Sequence, residues 1–395
     1  MKDRHTVYLL GVLAGVVSTV ALIAFVQPIA DLLPGTAEES RTDQAREIIE
    51  DSYFRETDST KLEDASIDGM VRKISKENDD KFSNYFDAEA YARFQVINSG
   101  QFSGIGTTVT ERKKGLEVVM VYPESPAEKA GITTGDVIVA VEGESIAGVD
   151  SEQAANRIKG PPGTEVEITV ADGKTGKKRT IDVERAQVRI PAVTSRMERT
   201  DDGEKVGYVQ LATFSNGAHG EVRKAIEDLQ KKGAEGIVFD LRSNGGGLLD
   251  EAVLVTSIFQ QDGPIVTIEG RNRDKQTFDA TGDALDVGPL VVLVNGDTAS
   301  ASEITSAALQ ENDLADIVGE RTYGKGVFQE VIQLEGGGAL DITVGEYLTA
   351  DGTSILGKGV VPDEKVVDKD LEDDEDAVLD AGLSQIGSEL DDGKG

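Results

Sequence analysis

The sequence predicts a multidomain α+β protein with an N-terminal transmembrane helix. Residues 6–26 form an apolar run without a charged side chain, long enough to cross a bilayer. Residues 103–186 contain short β-branched runs separated by glycine turns, which predicts a small strand-rich domain. Residues 190–365 alternate strand-like and helix-like segments, which predicts an α/β core with a mixed sheet. A length of 395 residues suits two or three domains.

The composition narrows the chemistry that is available to this chain. Because there is no cysteine, disulfides, thiolate nucleophiles and cysteine metal sites are excluded. The two histidines, His5 and His219, are too few for structural zinc, and only His219 could serve a Ser-His-Asp triad. A net charge of −33 disfavours nucleic acid as a partner. No metal and no organic cofactor is implied.

The start of the chain has the pattern of an uncleaved membrane anchor. Residues 1–5 carry Lys2 and Arg4, and the charges that follow residues 6–26 are acidic. The positive-inside rule therefore predicts a cytoplasmic N-terminus, one membrane pass and the rest of the chain outside the cytoplasm. A cleaved signal peptide is the competing interpretation, but no clear small-x-small site lies near the end of the run.

Residues 37–100 are expected to form a polar helical domain. The segments AREIIEDSYF and LEDASIDGMVRKI repeat apolar residues at helical intervals. Tyr85, Phe86, Tyr91 and Phe94 form an aromatic group that is expected to pack this domain.

Residues 103–186 resemble a PDZ domain. The resemblance rests on the segments SGIGTTVT, SPAEKAGI and GDVIVAVEG, which are followed by a helix and a closing hairpin. It implies that the backbone N–H groups of Gly104, Ile105 and Gly106 hold the carboxylate of a peptide C-terminus, while the peptide adds a strand beside residues 105–109. A ligand-free glycine turn is the alternative for these three residues taken alone.

The segment VVLVNGDTASASEITSAALQ predicts a strand, a sharp turn and a helix, with Ser300 at the helix N-terminus. Lys325 follows in a second loop, between two glycines. A serine hydroxyl attacks only when a base takes its proton, and a lysine amine is a base only when burial keeps it neutral. Because histidine is scarce, we predict Ser300 as nucleophile and Lys325 as base. Gln329 would orient the lysine amine or the substrate.

Two backbone N–H groups are candidates for stabilising an oxyanion. Ala301 directly follows the predicted nucleophile at the helix N-terminus. Residues 244–247, NGGG, lie where another strand gives way to a helix, and glycine lets the backbone approach a ligand closely. Gly246 is therefore the predicted second donor, with an ordinary tight turn as the alternative.

Other interpretations of these motifs compete. Ser300 and Glu303 fit the S-x-x-E capping pattern, so the serine could serve only as a helix cap. Lys325 alone could be a solvated loop lysine. A phosphate-binding loop is rejected, because Gly326 stands where that motif needs Ser or Thr.

Taken together, the motifs resemble the carboxy-terminal processing peptidases, the tail-specific serine proteases of peptidase family S41, over roughly residues 45–385. The motifs are FSGIG, the PDZ pattern, DLRSNGGGLLDEA, NGDTASASEI, GERTYGKGVFQ and GKGVVPD. The resemblance implies a ClpP/crotonase-like core, and it selects Ser300 rather than Ser302 as nucleophile, with Lys325 and Gln329 completing the site. Two departures are NGGG where the family often has NPGG, and YLTA at residues 347–350 where it often has Tyr-Thr-Pro.

The resemblance implies a membrane-anchored serine endopeptidase that binds protein C-termini through its PDZ domain. A catalytically inactive, membrane-tethered PDZ adaptor and a Ser/Lys enzyme that degrades signal peptides are the alternatives. The expected partners are protein or peptide C-termini and the membrane, with homo-oligomerisation left open. Residues 366–395 are expected to be an acidic tail with one short helix, AVLDAGLSQI.

Overall fold

The computed structural model describes residues 40–367 and 375–393. The expected cytoplasmic segment, residues 1–5, and the expected anchor, residues 6–26, lie outside these ranges. Within the ranges that are described, no helix combines the length and the apolar composition that crossing a membrane requires.

The chain divides into two compact units between Asp79 and Asp80. The first unit contains α1 (Arg41–Ser52) and α2 (Ser59–Asn78), which follow the two predicted helical segments. Each helix begins at a side-chain cap, since Ser40 accepts the N–H of Asp43 and Asp58 accepts the N–H of Lys61.

The predicted helical domain of residues 37–100 extends too far, because residues 80–100 belong to the second unit. The elements of that unit, in chain order, are β1 (Asn84–Phe86), α3 (Ala88–Ser99), β2 (Gln101–Gly104), β3 (Thr107–Arg112), β4 (Gly115–Val121), α4 (Pro126–Lys129), β5 (Val137–Val141), β6 (Glu144–Ser145), α5 (Ser151–Ile158), β7 (Glu165–Ala171), β8 (Lys178–Glu184), β9 (Ala186–Arg189), β10 (Val193–Arg199), β11 (Lys205–Leu211), α6 (Ala218–Lys231), β12 (Gly236–Asp240), α7 (Leu249–Thr256), β13 (Pro264–Gly270), β14 (Arg273–Asp279), β15 (Leu290–Val294), α8 (Ala301–Glu311), β16 (Asp316–Gly319), β17 (Val327–Gln333), β18 (Ala339–Thr349), β19 (Glu364–Lys365) and α9 (Ala377–Gly393). Strand β1 pairs with β18. This pairing joins residues far apart in the chain and leaves no local sequence pattern, which explains why the predicted helical domain ended too late, at residue 100.

The segment that resembles a PDZ domain folds around its own antiparallel sheet. The strand order is β3-β4-β5-β7-β8, with β6 paired to β5. Along β7 the residues alternate between buried and less buried positions, and Val166, Ile168 and Val170 point into the core. The short pair β2–β9 connects this domain to the rest of the unit.

The remaining core contains the mixed sheet that the sequence predicts. Its strand order is β10-β11-β12-β15-β16-β19, in which β10 and β11 are antiparallel and all other neighbours are parallel. A second, antiparallel sheet has the order β1-β18-β13-β14, and β17 pairs with β18.

Strands β12 and β15 are buried along their whole length, because helices cover both faces of the mixed sheet. On one face, Val292 and Val294 of β15 pack in the core cluster that includes residues of α6, α7 and α8. On the other face, Val291 and Leu293 pack with Ile386 of α9. The continuous apolar run VVLV is therefore explained by two-sided burial.

The C-terminal segment is more structured than the predicted acidic tail with one short helix. Helix α9 continues to Gly393, and residues 368–374 and 394–395 lie outside the described residues. Val378, Leu379 and Ile386 are buried, so one side of the helix belongs to the core. Their spacing is that of an amphipathic helix, which the high acidic content of the segment obscured.

Candidate active site

Hydrogen bonds join the two turns that follow the parallel strands β12 and β15. The side-chain oxygen of Asn295 accepts the N–H of Ser243 at 2.9 Å. The backbone carbonyl of Asn244 accepts the N–H of Ala299 at 3.0 Å and the hydroxyl of Ser302 at 2.9 Å. Both turns therefore lie at one edge of the sheet, where the carboxyl ends of parallel strands form a ligand site in open α/β sheets.

Ser300 is the N-cap residue of α8, as the sequence predicts, and its backbone is strained. Its dihedral angles are φ 57° and ψ −118°, whereas a helix cap ordinarily lies in the β region. Such a conformation costs on the order of 1–3 kcal/mol and persists where the surrounding structure holds it. The capping interaction is present too, because Glu303 accepts the Ser300 N–H at 2.9 Å. The serine thus combines a capping position with the strain that is common at active sites.

Glu303 connects the serine turn to the lysine loop, although the sequence indicated only a capping role for it. The side chain is completely buried. Its Oε2 atom accepts the N–H groups of Ser300 and Lys325, both at 2.9 Å. Its Oε1 atom accepts the Gly324 N–H at 2.7 Å and the hydroxyl of Thr322. A single carboxylate therefore hydrogen-bonds to both loops that carry the predicted nucleophile and base.

Ser300, Lys325 and Gln329 line one cavity of about 650 Å³. Its apolar wall is formed by Leu248, Ile268, Phe278, Ile304 and Phe328. Ser302, the alternative nucleophile, is completely buried and does not line this cavity. His219 does not line it either; its Nδ1 atom lies 2.9 Å from the carboxylate of Glu251. Among the described residues, the lining of this cavity thus includes a serine and a lysine but no histidine.

The environment of Lys325 opposes its charge. The side chain is half-buried, and burial lowers its pKa, while the carboxylates of Asp341, Glu303 and Asp80 act in the opposite direction. The Nζ atom lies 5.1 Å from the centre of the Phe82 ring. No hydrogen bond joins Nζ to the Ser300 hydroxyl in the described structure.

Strand β18 supplies side chains that support the site. The buried Tyr347 hydroxyl donates to the carbonyl of Lys325 and also contacts the side chain of Ser300. Burial strongly raises the pKa of Tyr347, so its hydroxyl stays protonated. The side-chain amide of Gln329 donates to the Thr343 hydroxyl at 3.2 Å. Gln329 is therefore held by the sheet, and it makes no hydrogen bond to the lysine amine in the described structure.

Among the residues that the structure describes, one of the two predicted oxyanion donors, Ala301, keeps a free N–H, and the N–H of the other, Gly246, is occupied. The Ala301 N–H makes no hydrogen bond in the described structure, as an oxyanion donor requires. The Gly246 N–H is occupied, because it donates to the side-chain oxygen of Asn244 at 2.9 Å. Instead, the N–H of Gly247, which lines the cavity, has no acceptor among the described residues. The sequence could not reveal this, since it does not show which N–H the asparagine uses.

Gly246 has a steric role instead. Its φ is 102°, and an added Cβ would lie 2.8 Å from the Ser300 Cβ and 2.9 Å from the Ala301 nitrogen. Only glycine can therefore occupy the position that crosses directly over the serine.

The predicted peptide-binding loop has the features that carboxylate binding needs. The N–H groups of Ile105 and Gly106 donate to no described acceptor, while Gly104 ends β2 and pairs with Ala186. Next to the loop is a cavity of about 50 Å³, whose apolar lining includes Phe102, Ile105, Val109, Ala155 and Ile158. A side chain at Gly106 would collide with Ser125, at 2.2 Å from its Cβ.

Asp341, Thr343 and Tyr347 of β18 lie next to the predicted site residues, and the sequence analysis did not single them out for the site. Asp341 and Thr343 are two residues apart on β18, and this period-two spacing was a usable signal. Tyr347 lies four residues beyond Thr343, and the register shift opposite Phe328 and Gln329 falls between them.

Comparison with known proteins agrees with the predicted family. The model of peptidase family S41 matches residues 205–366, and a PDZ domain model matches residues 117–172. The carboxy-terminal processing protease CtpA of Bacillus subtilis is 34% identical over 372 residues, covering 92% of this chain and 78% of that protein. A carboxy-terminal-processing protease of Bartonella bacilliformis is 37% identical over 323 residues, covering 80% and 72%.

A solved structure gives a further similarity. The photosystem II D1 C-terminal processing protease is 30% identical, with 89% of this chain and 97% of that chain covered and a TM-score of 0.49. The family assignment follows from the sequence matches, since both bacterial relatives are more than 30% identical over more than two thirds of their length. The chain belongs to peptidase family S41 and is a carboxy-terminal processing serine protease with a PDZ domain.

Proposed function

We propose that this protease is a membrane-anchored endopeptidase that captures protein C-termini on its PDZ domain and cleaves them with Ser300 and Lys325. The observation that carries the proposal is the carboxylate of Glu303, which accepts the N–H groups of both residues at 2.9 Å. The two loops thus meet at one cavity, which has an apolar wall and room for a peptide segment.

The chemistry is acyl transfer in two steps. Ser300 Oγ attacks the peptide carbonyl carbon while Lys325 Nζ takes the hydroxyl proton, and the Ala301 N–H stabilises the oxyanion. Lys325 then gives this proton to the departing amine, the C–N bond breaks, and an ester to Ser300 remains. Water attacks the ester carbon and gives a proton to Lys325, the bond between that carbon and Ser300 Oγ breaks, Lys325 returns the proton to Oγ, and the new C-terminal carboxyl group leaves.

This reaction requires Lys325 to move. Its amine now lies over the Phe82 ring rather than against the serine, but four rotatable side-chain bonds allow it to turn toward Ser300. Burial, which lowers the pKa of the amine, favours the neutral form that the base must have. For the second oxyanion donor we propose the Gly247 N–H, which lines the cavity and has no acceptor among the described residues.

The catalytic assignment is tested by comparing Ser300→Ala with Ser302→Ala. The first variant should fold and lose both peptide cleavage and labelling by a fluorophosphonate, because the nucleophile is gone. The second should still be labelled, since Ser302 does not line the cavity. Labelling that survives in Ser300→Ala and disappears in Ser302→Ala would reverse the assignment. An unlabelled wild-type protein would favour the inactive adaptor.

Capture of the C-terminus is supported by the unoccupied N–H groups of Ile105 and Gly106 beside a small apolar cavity. A peptide with a free C-terminus and a small apolar last residue should bind the Ser300→Ala protein more tightly than the same peptide with a C-terminal amide. Equal affinities would show that this loop does not hold the terminus.

The anchor is proposed from residues 6–26, an apolar run preceded by Lys2 and Arg4. The full chain should remain in the membrane pellet after alkaline extraction, and a chain that begins at residue 37 should be released. Protease added outside the cell should degrade the PDZ domain of the anchored form. Release of the full chain would rule out the anchor.

A further inference from the structure

Asp341 is a carboxylate in the active-site cavity for which the reaction described above has no use. It lies on β18, where its neighbours in the sheet are Asn84 of β1 and Val331 of β17. The side chain is half-buried and lines the cavity together with Ser300 and Lys325. It makes no hydrogen bond and no ion pair with a described residue.

The two other carboxylates that act on Lys325 are held by hydrogen bonds. Glu303 accepts three backbone N–H groups and one hydroxyl. Asp80 accepts the N–H groups of Phe82 and Ser83 and the hydroxyls of Ser83 and Thr343. These donors disperse the negative charges of both groups, whereas the charge of Asp341 is not offset by any donor.

Among the three carboxylates, Asp341 has the largest influence on the lysine. It is the first of the groups that raise the pKa of Lys325 against the larger effect of burial. The influence is mutual, since burial raises the pKa of Asp341 to about 6 and Lys325 acts to lower it. Above that pH Asp341 is an anion, and it makes no ion pair with Lys325 within the described structure.

We propose that Asp341 is a positioning residue whose negative charge keeps the Lys325 amine protonated and thereby sets the pH at which the protease becomes active. The inference rests on the proposed function of Lys325 as the base. The carboxylate moves the onset of activity to higher pH, because a protonated lysine cannot take the proton of Ser300.

The other groups around the lysine do not replace Asp341. The Phe82 ring and the charges of Glu303 and Asp80 also favour the ammonium, but they remain when Asp341 is changed. Elsewhere in the cavity, Arg273 forms an ion pair with Glu330 at 2.8 Å, and Asp250 does not contribute to the pKa of Lys325. Removing the charge of Asp341 is therefore a selective change.

The test is the pH profile of kcat/KM for Asp341→Asn, which removes the charge and keeps the shape. The acidic limb, where activity rises with pH, should move to lower pH by about 1 unit, the lower end of the effect of a nearby opposite charge. The plateau at high pH should not change, because the amine is neutral there in both proteins. Asp341→Glu should keep the limb near its wild-type position.

Glu335→Gln is the matched control. It removes one negative charge from the turn between β17 and β18, the hairpin that also carries Asp341, at an exposed position. Its acidic limb should coincide with that of the wild type. If Asp341→Asn does not fold, Asp341→Ser removes the same charge with a smaller side chain.

A second readout does not depend on turnover. In Ser300→Ala protein labelled with ¹³C at the lysine ε-carbon, the Lys325 resonance, assigned by its loss in Lys325→Arg, should titrate at lower pH when Asp341→Asn is added. The inference would be overturned if, in Asp341→Asn, the acidic limb of kcat/KM and the Lys325 titration stayed at their original pH or moved to higher pH. Loss of the plateau without a shift would do the same. An active Lys325→Ala enzyme would instead refute the proposed base, which is a distinguishable result.

Discussion

The carboxylate of Glu303 accepts the backbone N–H of Lys325 at 2.9 Å, through the same oxygen that accepts the N–H of Ser300. Hydrogen bonds to a charged acceptor contribute about 1.5–3 kcal/mol each. One buried side chain thus bonds directly to the backbone of both Lys325 and Ser300. This arrangement leaves the lysine amine free to turn while its backbone stays fixed.

We expect Glu303→Gln to reduce kcat/KM by about 10²-fold or more, because a displacement of about 1 Å at a reactive group has this effect. One amide oxygen can replace one carboxylate oxygen, but the amide NH₂ group would face N–H donors. Steady-state kinetics of peptide cleavage and the thermal unfolding midpoint Tm measure the two consequences.

Glu311→Gln provides the control for this prediction. Glu311 ends the same helix α8 and accepts one exposed N–H, that of Asp351 at 2.9 Å. Its activity should stay within about twofold of the wild type, since an exposed hydrogen bond changes stability little. Equal activity losses in both variants would show that helix stability, rather than the joining of the two loops, is responsible.

The pH dependence should be that of a lysine base with a lowered pKa. Activity is proportional to the neutral fraction of Lys325, so kcat/KM should rise with pH and level off above the pKa of the amine. Because burial lowers this pKa, the midpoint should lie below that of an exposed lysine, about 10.4. Lys325→Arg should be inactive at every pH, since arginine stays protonated. A profile that depends on His219, and changes in His219→Ala, would contradict the assignment.

Gly246→Ala should lower activity by about 10²-fold or more. The new methyl group would lie 2.8 Å from the Ser300 Cβ, and the residue would be forced to keep a φ of 102°. Gly296→Ala is the control, because an added Cβ there meets no atom within 4 Å. Peptide cleavage by the two variants measures the difference, and similar activities would argue against a role for close packing over the serine.

Tyr347→Phe should weaken the site without removing a reacting group. The carbonyl of Lys325 would lose its donor, which costs about 1–3 kcal/mol where the group is buried. We expect a lower kcat and a lower Tm, while labelling of Ser300 by a fluorophosphonate continues at a reduced rate. A complete loss of labelling would instead assign Tyr347 a direct part in the chemistry.

Ile386→Ala should destabilise the protein by about 2–5 kcal/mol, the usual cost of truncating a buried isoleucine. Denaturant unfolding followed by circular dichroism measures this change. Ser388→Ala, on an exposed part of α9, should change stability by less than about 0.5 kcal/mol. An unchanged stability in Ile386→Ala would show that the C-terminal helix is dispensable to the core.

Several predictions agree with the structure because they depend only on residues that are close together in the chain. The run VVLV is continuous and β-branched, and it forms the fully buried strand β15. Ser300 follows it at the start of α8, since a turn and good helix formers come next. The family was recognisable from motifs whose residues are close together in the chain.

Other predictions failed where contacts distant in sequence were decisive. Asp80 and Phe82 fall within the predicted helical domain, yet the charge of Asp80 acts on Lys325 and the Phe82 ring lies 5.1 Å from the lysine amine. Gly246 was expected to donate its N–H to the substrate, but the side chain of Asn244 takes it. Helix α9 is longer than predicted, because the many acidic residues of the segment made its buried apolar side hard to recognise.

By itself, the sequence determined the protease family, the order of its segments and the residue types that can act, because these depend on composition and local spacing. Only the tertiary structure decided that Glu303 joins the loops of Ser300 and Lys325, that β1 reaches β18, and that Asp341 lines the same cavity as Lys325. The physical reason is that a hydrogen bond or a charge acts over a few ångströms in space, regardless of how many residues separate its partners along the chain.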